Sequence, residues 1–346
     1  MKKTFGRTIL LTCLAALALS VPALADGPHS DNYLEGVGAL GINVQYGPGF
    51  AGNSASAAGK TGTLSYPRTT NADLAPELGG GFIRVLANEG NTSQQLSIVV
   101  KSSDGKVIVV DGGVEQDAEH LYRILKENGG KVDAWLLTHP QTDHAGGLYA
   151  MLRDHKDIDI KGIYYRFFEY EWYQAVDPGE IGMLYHLMQV FAEYPQDRLH
   201  KEIRRNEVYT LSPNLSFRVM NDPLKSEGNF AVNGSCEMYD ITVNGKHLIV
   251  LGDMSEEVGN RHYANGVLDG LTCDYLQISH HGQCGVGETF YKVCNPRNCL
   301  WSSPSWLYYA DRNNSKGYRT WETKEWFSRM NVENHYCTAE GDIIIR

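Results

Sequence analysis

Two imidazoles and a carboxylate fall within six residues in the stretch Thr138-His139-Pro140-Gln141-Thr142-Asp143-His144-Ala145-Gly146-Gly147. His139, Asp143 and His144 are nitrogen and oxygen donors of the kind that hold a hydrolytic metal ion. Such a site needs rigidly placed ligands and one coordination position left open to water. The run Val132-Asp133-Ala134-Trp135-Leu136-Leu137 leads into the loop like a strand, and a helix-like segment, Leu148 to Leu152, follows it. A strand end running directly into a helix start is a stiff platform. Backbone N–H groups at the helix start favour negative charge, so Asp143 is suited to remain an ionised ligand.

Three more apolar strands end in polar residues able to complete such a site. Leu248-Ile249-Val250-Leu251-Gly252-Asp253 ends in a carboxylate, and Ile278-Ser279-His280-His281-Gly282 ends in paired imidazoles. Val110-Asp111-Gly112-Gly113 ends in an acceptor able to orient a ligand from behind. Each segment alone has a plainer meaning. An aspartate after a strand is commonly a turn residue, and a His pair is commonly a surface feature. It is the four in succession, each after an apolar strand, that points to a metal centre.

The elements that must position these residues alternate along the chain. Strands are predicted over Phe82–Leu86, Leu96–Val100 and Lys106–Val110, the last two joined by a turn at Ser103-Asp104-Gly105. Asp117 to Asn128 carries Leu121, Ile124 and Leu125 at helical spacing, with Gly129 as its C-cap. Gly162 to Phe168 reads as a strand continuing through Tyr170, Trp172 and Tyr173, and Ile181 to Tyr194 as a helix. Further on, Glu237–Val243 and Lys246–Leu251 are strands joined by the hairpin signal Asn244-Gly245. Tyr275–Ser279 and Asp342–Arg346 are strands and Thr320–Met330 a helix. Two halves of strands, each with helices, predict a two-sheet sandwich with helices outside.

The 346 residues, 42% hydrophobic, are enough for one large core. Lys2, Lys3 and Arg7 precede an apolar stretch, Ile9 to Val21, that is too short for a comfortable membrane span. Ala23-Leu24-Ala25 then offers a cleavage site, so residues 1–25 are expected to be a signal peptide. Its removal takes away three basic residues and no acidic one, moving the formal charge from -10 to -13. Such a surface argues against extended nucleic acid as partner and leaves a small-molecule or cell-envelope substrate. A secreted or periplasmic protein without a membrane span is expected. Residues 26–80, with the stretch Gly47-Pro48-Gly49-Phe50-Ala51-Gly52-Asn53-Ser54-Ala55-Ser56, read as a flexible linker, and residues 81–346 as the folded domain. Six cysteines then remain, an even number that permits disulfides or buried free thiols alike. Cys294 and Cys299 are the nearest pair.

In its ordered motifs, Asp111-Gly112-Gly113, His139 through Gly147, Gly252-Asp253 and His280-His281-Gly282, the chain resembles the metallo-β-lactamase superfamily. It looks most like the branch holding the hydrolase domain of DNA-uptake competence proteins and the phosphorylcholine esterases. The resemblance implies an αββα sandwich with a metal site along one edge. It also implies metal ligation by His139, Asp143, His144, Asp253 and His281, with His280 as proton donor or phosphate contact. Where the family pattern is His-x-His-x-Asp-His, this chain has Gln141, a neutral amide and a poorer zinc ligand than imidazole. The segment Asn233-Gly234-Ser235-Cys236 supplies no histidine either.

One tightly held Zn²⁺, or the harder Mn²⁺, is therefore expected, with a weak or empty second site and with Asp111 and Gln141 behind the ligands. The implied activity is hydrolysis of a phosphodiester or related ester through a metal-bound hydroxide, with Asp143 and His280 moving protons. Two alternatives remain open: a non-catalytic binding domain that kept the fold, and a lactonase or β-lactamase. The rings of Tyr164, Tyr165, Phe167, Phe168, Tyr170, Trp172 and Tyr173 are either a substrate wall or a packed core.

Overall fold

Strand periodicity decides the layers. Along the run Val107–Val110, Ile108 and Val110 point into one apolar cluster and Val107 and Val109 into another. Leu248 and Val250 likewise join the first cluster, whereas Ile249 and Leu251 face a third. Both strands are apolar on both faces, as strands buried between layers must be. The computed structural model describes residues 77–313 and 317–346. The expected signal peptide and residues 26–76 of the expected linker lie outside the described residues.

The first half runs β1 (Phe82–Val85), β2 (Ser97–Lys101), β3 (Val107–Asp111), α1 (Ala118–Glu127), β4 (Lys131–Val132), β5 (Ala134–Leu136), α2 (Thr142–Asp154), β6 (Asp159–Ile160), β7 (Ile163–Tyr164), α3 (Tyr170–Val176), α4 (Ile181–Glu193) and β8 (Leu199–His200). The second runs β9 (Val208–Ser212), β10 (Leu215–Val219), α5 (Ala231–Gly234), β11 (Tyr239–Val243), β12 (Lys246–Val250), α6 (Glu256–Ala264), β13 (Tyr275–Gln277), α7 (Glu288–Cys294), β14 (Asn298–Trp301), α8 (Ser305–Tyr308), α9 (Thr320–Phe327), β15 (Asn334–Cys337) and β16 (Ile343–Ile345).

One seven-stranded sheet has the order β16-β1-β2-β3-β5-β7-β8 and the other β15-β14-β13-β12-β11-β10-β9. Side chains of both sheets, among them Ile98, Val110, Leu136, Phe217, Ile241 and Val250, form the central core. Helices α1, α2 and α4 cover the outer face of the first sheet, and α6, α7 and α9 that of the second. The result is the expected αββα sandwich. The last strand returns to the first sheet and pairs antiparallel with β1, Ile83 opposite Ile345. Asn244 and Gly245, at φ +47° and +79°, make the predicted hairpin between β11 and β12. Among the described residues, no helix is long and apolar enough to cross a membrane.

Several expectations need correction. Leu78, placed in the linker by the sequence, is fully buried in the central core. The aromatic run is a strand only over Ile163–Tyr164 and coils into α3 from Tyr170. Of the two readings open for the cysteines, free thiols hold: all six described cysteines are unbonded, Cys294 and Cys299 among them. Cys299 lies inside β14, hydrogen-bonded on both sides, where its side chain packs into the outer apolar layer of the second sheet.

The chemistry-bearing residues follow the C-terminal ends of parallel strands, where open α/β sheets leave a crevice. Strand β3 pairs parallel with β5, and β12 pairs parallel with β13. Glycines bring α2 against the end of β3. The Gly147 amide donates to the Gly113 carbonyl at 2.9 Å, and a Cβ on Gly147 would collide with the Gly112 carbonyl. One on Gly146 would lie 2.5 Å from the Glu115 nitrogen. Gly147→Ala is therefore expected to destabilise the fold by about 1–3 kcal/mol through overpacking against backbone that cannot yield. A lowered midpoint of thermal or urea unfolding checks it; an unchanged midpoint would show that the helix can shift.

Candidate metal centre

At the end of β3 the backbone of Asp111 takes φ +59°, followed by Gly112 at φ +142°. A left-handed aspartate costs about 1–3 kcal/mol and is kept only where its surroundings fix it. Here three hydrogen bonds do so. Asp111 Oδ1 accepts from the Thr138 amide at 2.7 Å, and Oδ2 accepts from the Thr138 hydroxyl at 2.8 Å and from His144 Nδ1 at 2.7 Å. This carboxylate ties the strand end carrying His139 to the helix start carrying His144. With the His144 proton committed to Nδ1, its Nε2 keeps the free lone pair.

His281 is oriented the same way from the other sheet. Its Nδ1 donates to the Ser302 carbonyl at 2.9 Å, which leaves Nε2 as the lone-pair nitrogen. His280 and His281 both sit at positive φ, +50° and +53°, a second strained turn at the same edge. Asp253 follows β12, and its amide donates to Cys236 Sγ at 3.2 Å. Cys236, whose sequence position fits a soft ligand or a buried thiol, is fully buried, and burial pushes its thiol well above the ordinary range. It supports Asp253 from behind.

Four of these residues converge. Asp143, His144, Asp253 and His281 each present one ligand atom, all within 4.8 Å of one another. His144 Nε2 lies 3.2 Å from Asp253 Oδ1, and His281 Nε2 lies 3.2 Å from Asp143 Oδ2 and 3.4 Å from Asp253 Oδ2. Tetrahedral Zn²⁺ with bonds near 2.0–2.1 Å needs ligand atoms about 3.3 Å apart, which these three spacings match, and His144 Nε2 to Asp143 Oδ2 is wider at 3.9 Å. His144 Nε2, His281 Nε2 and Asp253 Oδ1 are buried and have no hydrogen-bond partner. Three orphaned donor atoms aimed at one point are what a cation would satisfy.

The electrostatics agree. Burial opposes ionisation of Asp253, but His144, His281 and His280 overcome it and hold the carboxyl well below its ordinary range. Asp143 is lowered in the same way, its burial outweighed by His144 and His281. In return, against burial, Asp253 above all lifts His144 well above the ordinary histidine range and His281 to about 9. In the absence of a metal these imidazoles take up protons that balance the carboxylates, and a divalent cation supplies the same charge.

His139 does not join the four. It was expected as a ligand, but its Nε2 donates to Gln141 Oε1 at 2.7 Å. Burial first, and then His144, lower its pKa to about 4, so it is neutral. Gln141 Oε1 also accepts from Asn233 Nδ2 at 2.9 Å, and that amide lies 3.5 Å from Asp253 Oδ2. The half of the loop expected to be weak is thus a hydrogen-bonded chain, His139–Gln141–Asn233. His280 also stands apart, with Nε2 3.7 Å from Asp253 Oδ2 and Nδ1 buried without a partner. Burial lowers its pKa.

Sequence reasoning missed Thr138 as the link between Asp111 and the loop, Asn233 as a contact of Gln141, and Cys236 as a support of Asp253. Asn233 and Cys236, both in the segment where a ligand was sought, carried a usable signal, and Thr138 carried none. Of the aromatic run, Tyr173 is buried with Leu184 and Val232, and Phe167, Phe168, Tyr170 and Trp172 pack against them. Lys225 lies over the rings of Phe168 and Trp172. The cluster therefore backs α5, which carries Asn233.

A family model described as the metallo-beta-lactamase superfamily matches residues 90–210, the stretch that contains Asp111 and the whole His139–His144 loop. The chain has the metallo-β-lactamase fold. Hydroxyacylglutathione hydrolase of Cronobacter sakazakii is 39% identical over 64 residues, 18% of this chain. That match spans about a quarter of the relative's length (24%). Among solved structures, the metallo-β-lactamase fold protein YhfI of Bacillus subtilis is 10% identical with a TM-score of 0.46, covering 77% of this chain and 99% of that one. A putative metal-dependent hydrolase of Parabacteroides distasonis is 10% identical with a TM-score of 0.41, covering 74% and 97%. No comparison singles out the competence-type or phosphorylcholine esterase branch of the metallo-β-lactamase superfamily.

Asp111→Asn is expected to weaken zinc binding by about 10–100-fold, because the amide can present its N–H to His144 and disturb its tautomer. Titration with a competing chelator measures this. Undiminished affinity would mean that Asp111 holds the fold alone.

Proposed function

We propose that this protein is an exported, single-metal hydrolase of a phosphodiester or related ester. The observation that carries the reading is the convergence of His144 Nε2, His281 Nε2 and Asp253 Oδ1, all buried and unpartnered, beside the Asp143 carboxylate. These four residues would hold the ion, Zn²⁺ or Mn²⁺. When bound, it would acidify a water molecule and polarise a substrate oxygen. Phosphodiester chemistry and the envelope location rest on the motif resemblance and on the N-terminal sequence.

The chain's own groups have distinct tasks. Asp111 and the Ser302 carbonyl fix the two imidazoles so that neither must reorient during turnover. Asp143 is the exposed member of the cluster, with 20% of its side chain accessible against 1% or less for the other three. It is the carboxylate able to take a proton from water and pass it to solvent. His280 borders the cluster on the Asp253 side and is placed to give a hydrogen bond to the leaving oxygen.

The His139–Gln141–Asn233 chain favours the second reading, a binding domain without turnover, and one experiment separates the two. Elemental analysis of the purified protein should find about one equivalent of metal, and bis(p-nitrophenyl) phosphate should be turned over. Asp143→Ala should remove both the metal and the activity. Bound metal without hydrolysis of this diester or of a lactam would leave the binding domain; no bound metal and no turnover would sink the hydrolase reading. Gln141→His should raise the metal content toward two equivalents, since imidazole replaces an amide that is now spent on His139 and Asn233. An unchanged content would mean that position 141 does not face a usable second site.

A further inference from the structure

We infer that Phe230 is a specificity-determining residue that receives a planar apolar substituent of the substrate; this rests on the hydrolase reading above. Phe230 lies in an exposed turn immediately before α5 and is 38% accessible. Its ring meets the His280 ring edge-on, centroids 5.5 Å apart at 76°. His280 in turn lies 3.7 Å from Asp253. A large apolar ring open to solvent therefore stands one side chain away from the four-residue cluster.

The position of Phe230 is fixed from three directions. Its carbonyl accepts from the Gly234 amide at 2.8 Å. Two and three residues on, Val232 is buried in the aromatic cluster and Asn233 bonds Gln141. The backbone of Phe230 is thus held beside the cluster. An apolar face held beside charged and polar groups gives a pocket its usual division of labour: the polar groups orient the reacting centre, and the ring covers what is attached to it. Aromatic rings pair best with other rings, stacked or edge to face. The acidic overall charge of the chain argues against a polyanionic substituent in this place.

Binding of phenylphosphonate and methylphosphonate to the zinc-loaded protein tests this by calorimetry. Wild type should bind the phenyl compound about 10-fold more tightly, the gain from covering one exposed ring face. Phe230→Ala should lose that preference while binding methylphosphonate unchanged, which also reports an intact cluster. Phe230→Leu, which keeps apolar bulk without a ring, should retain only part of it. Equal affinities in wild type, a preference that survives in Phe230→Ala, or failure of both compounds to bind would each overturn the inference. Turnover of bis(p-nitrophenyl) phosphate is scored separately. An inactive protein that shows the Phe230-dependent preference refutes the hydrolase reading alone, and an active one without it refutes the inference alone.

Discussion

The Asp111 carboxylate is the point on which the site depends. It accepts three hydrogen bonds, two from Thr138 and one from His144, and so joins the end of β3, the loop after β5 and the first turn of α2. The strained backbone at Asp111 aims the carboxylate, and Gly112, where a Cβ would meet the Leu148 nitrogen at 3.1 Å, lets α2 approach closely enough to be reached. Glycine is required here for two reasons at once, positive φ and backbone contact. Without the approach of α2, Asp143 and His144 would not stand opposite Asp253 and His281, which arrive from the other sheet.

Once the two sheets bring these groups together, charge governs their protonation. Two carboxylates and two imidazoles share a space from which water is nearly excluded. Carboxylates so close would repel strongly in a medium of low dielectric, and burial penalises each one. The imidazoles relieve this only by gaining protons, so His144 and His281 are raised, whereas burial, helped by a neighbouring imidazole, lowers His139 and His280. A cation replaces those protons and satisfies the orphaned nitrogens at the same time.

Most of this was legible in the sequence because the relevant signals are local. His139, Asp253 and the His280–His281 pair come just after apolar strands, Asp143 and His144 open the helix that follows one, and Asn244-Gly245 fixes a hairpin by its own backbone preferences. The layer order followed from apolar runs separated by amphipathic helices. What could not be read is non-local. That Tyr170 to Val176 coil into a helix is decided by packing on Leu184 and Val232, not by the run of rings itself. Strand β9 is an edge strand with only a shallow alternation, Val208 exposed and Tyr209 and Leu211 half-buried against the core, although β10 beside it alternates fully through Leu215, Phe217 and Val219. The second partner of Gln141 was beyond reach for the same reason: Asn233 lies 92 residues from it.

That distant contact changes what Gln141 means. As a missing histidine it reads as loss, since a neutral amide cannot compete with imidazole for zinc. In the structure its oxygen accepts from both His139 and Asn233, so the half of the site without a cation leaves none of these groups unsatisfied at that oxygen. His139, held to about 4, carries no charge and calls for no counter-ion. The negative charge of the centre is therefore concentrated on the Asp143–Asp253 side, which strengthens the attraction for one cation and weakens the case for two. The same chain of amides holds α5 against the loop and with it the position of Phe230. Gln141 in the loop thus accounts both for the asymmetry of the centre and for a contact that holds α5 beside it.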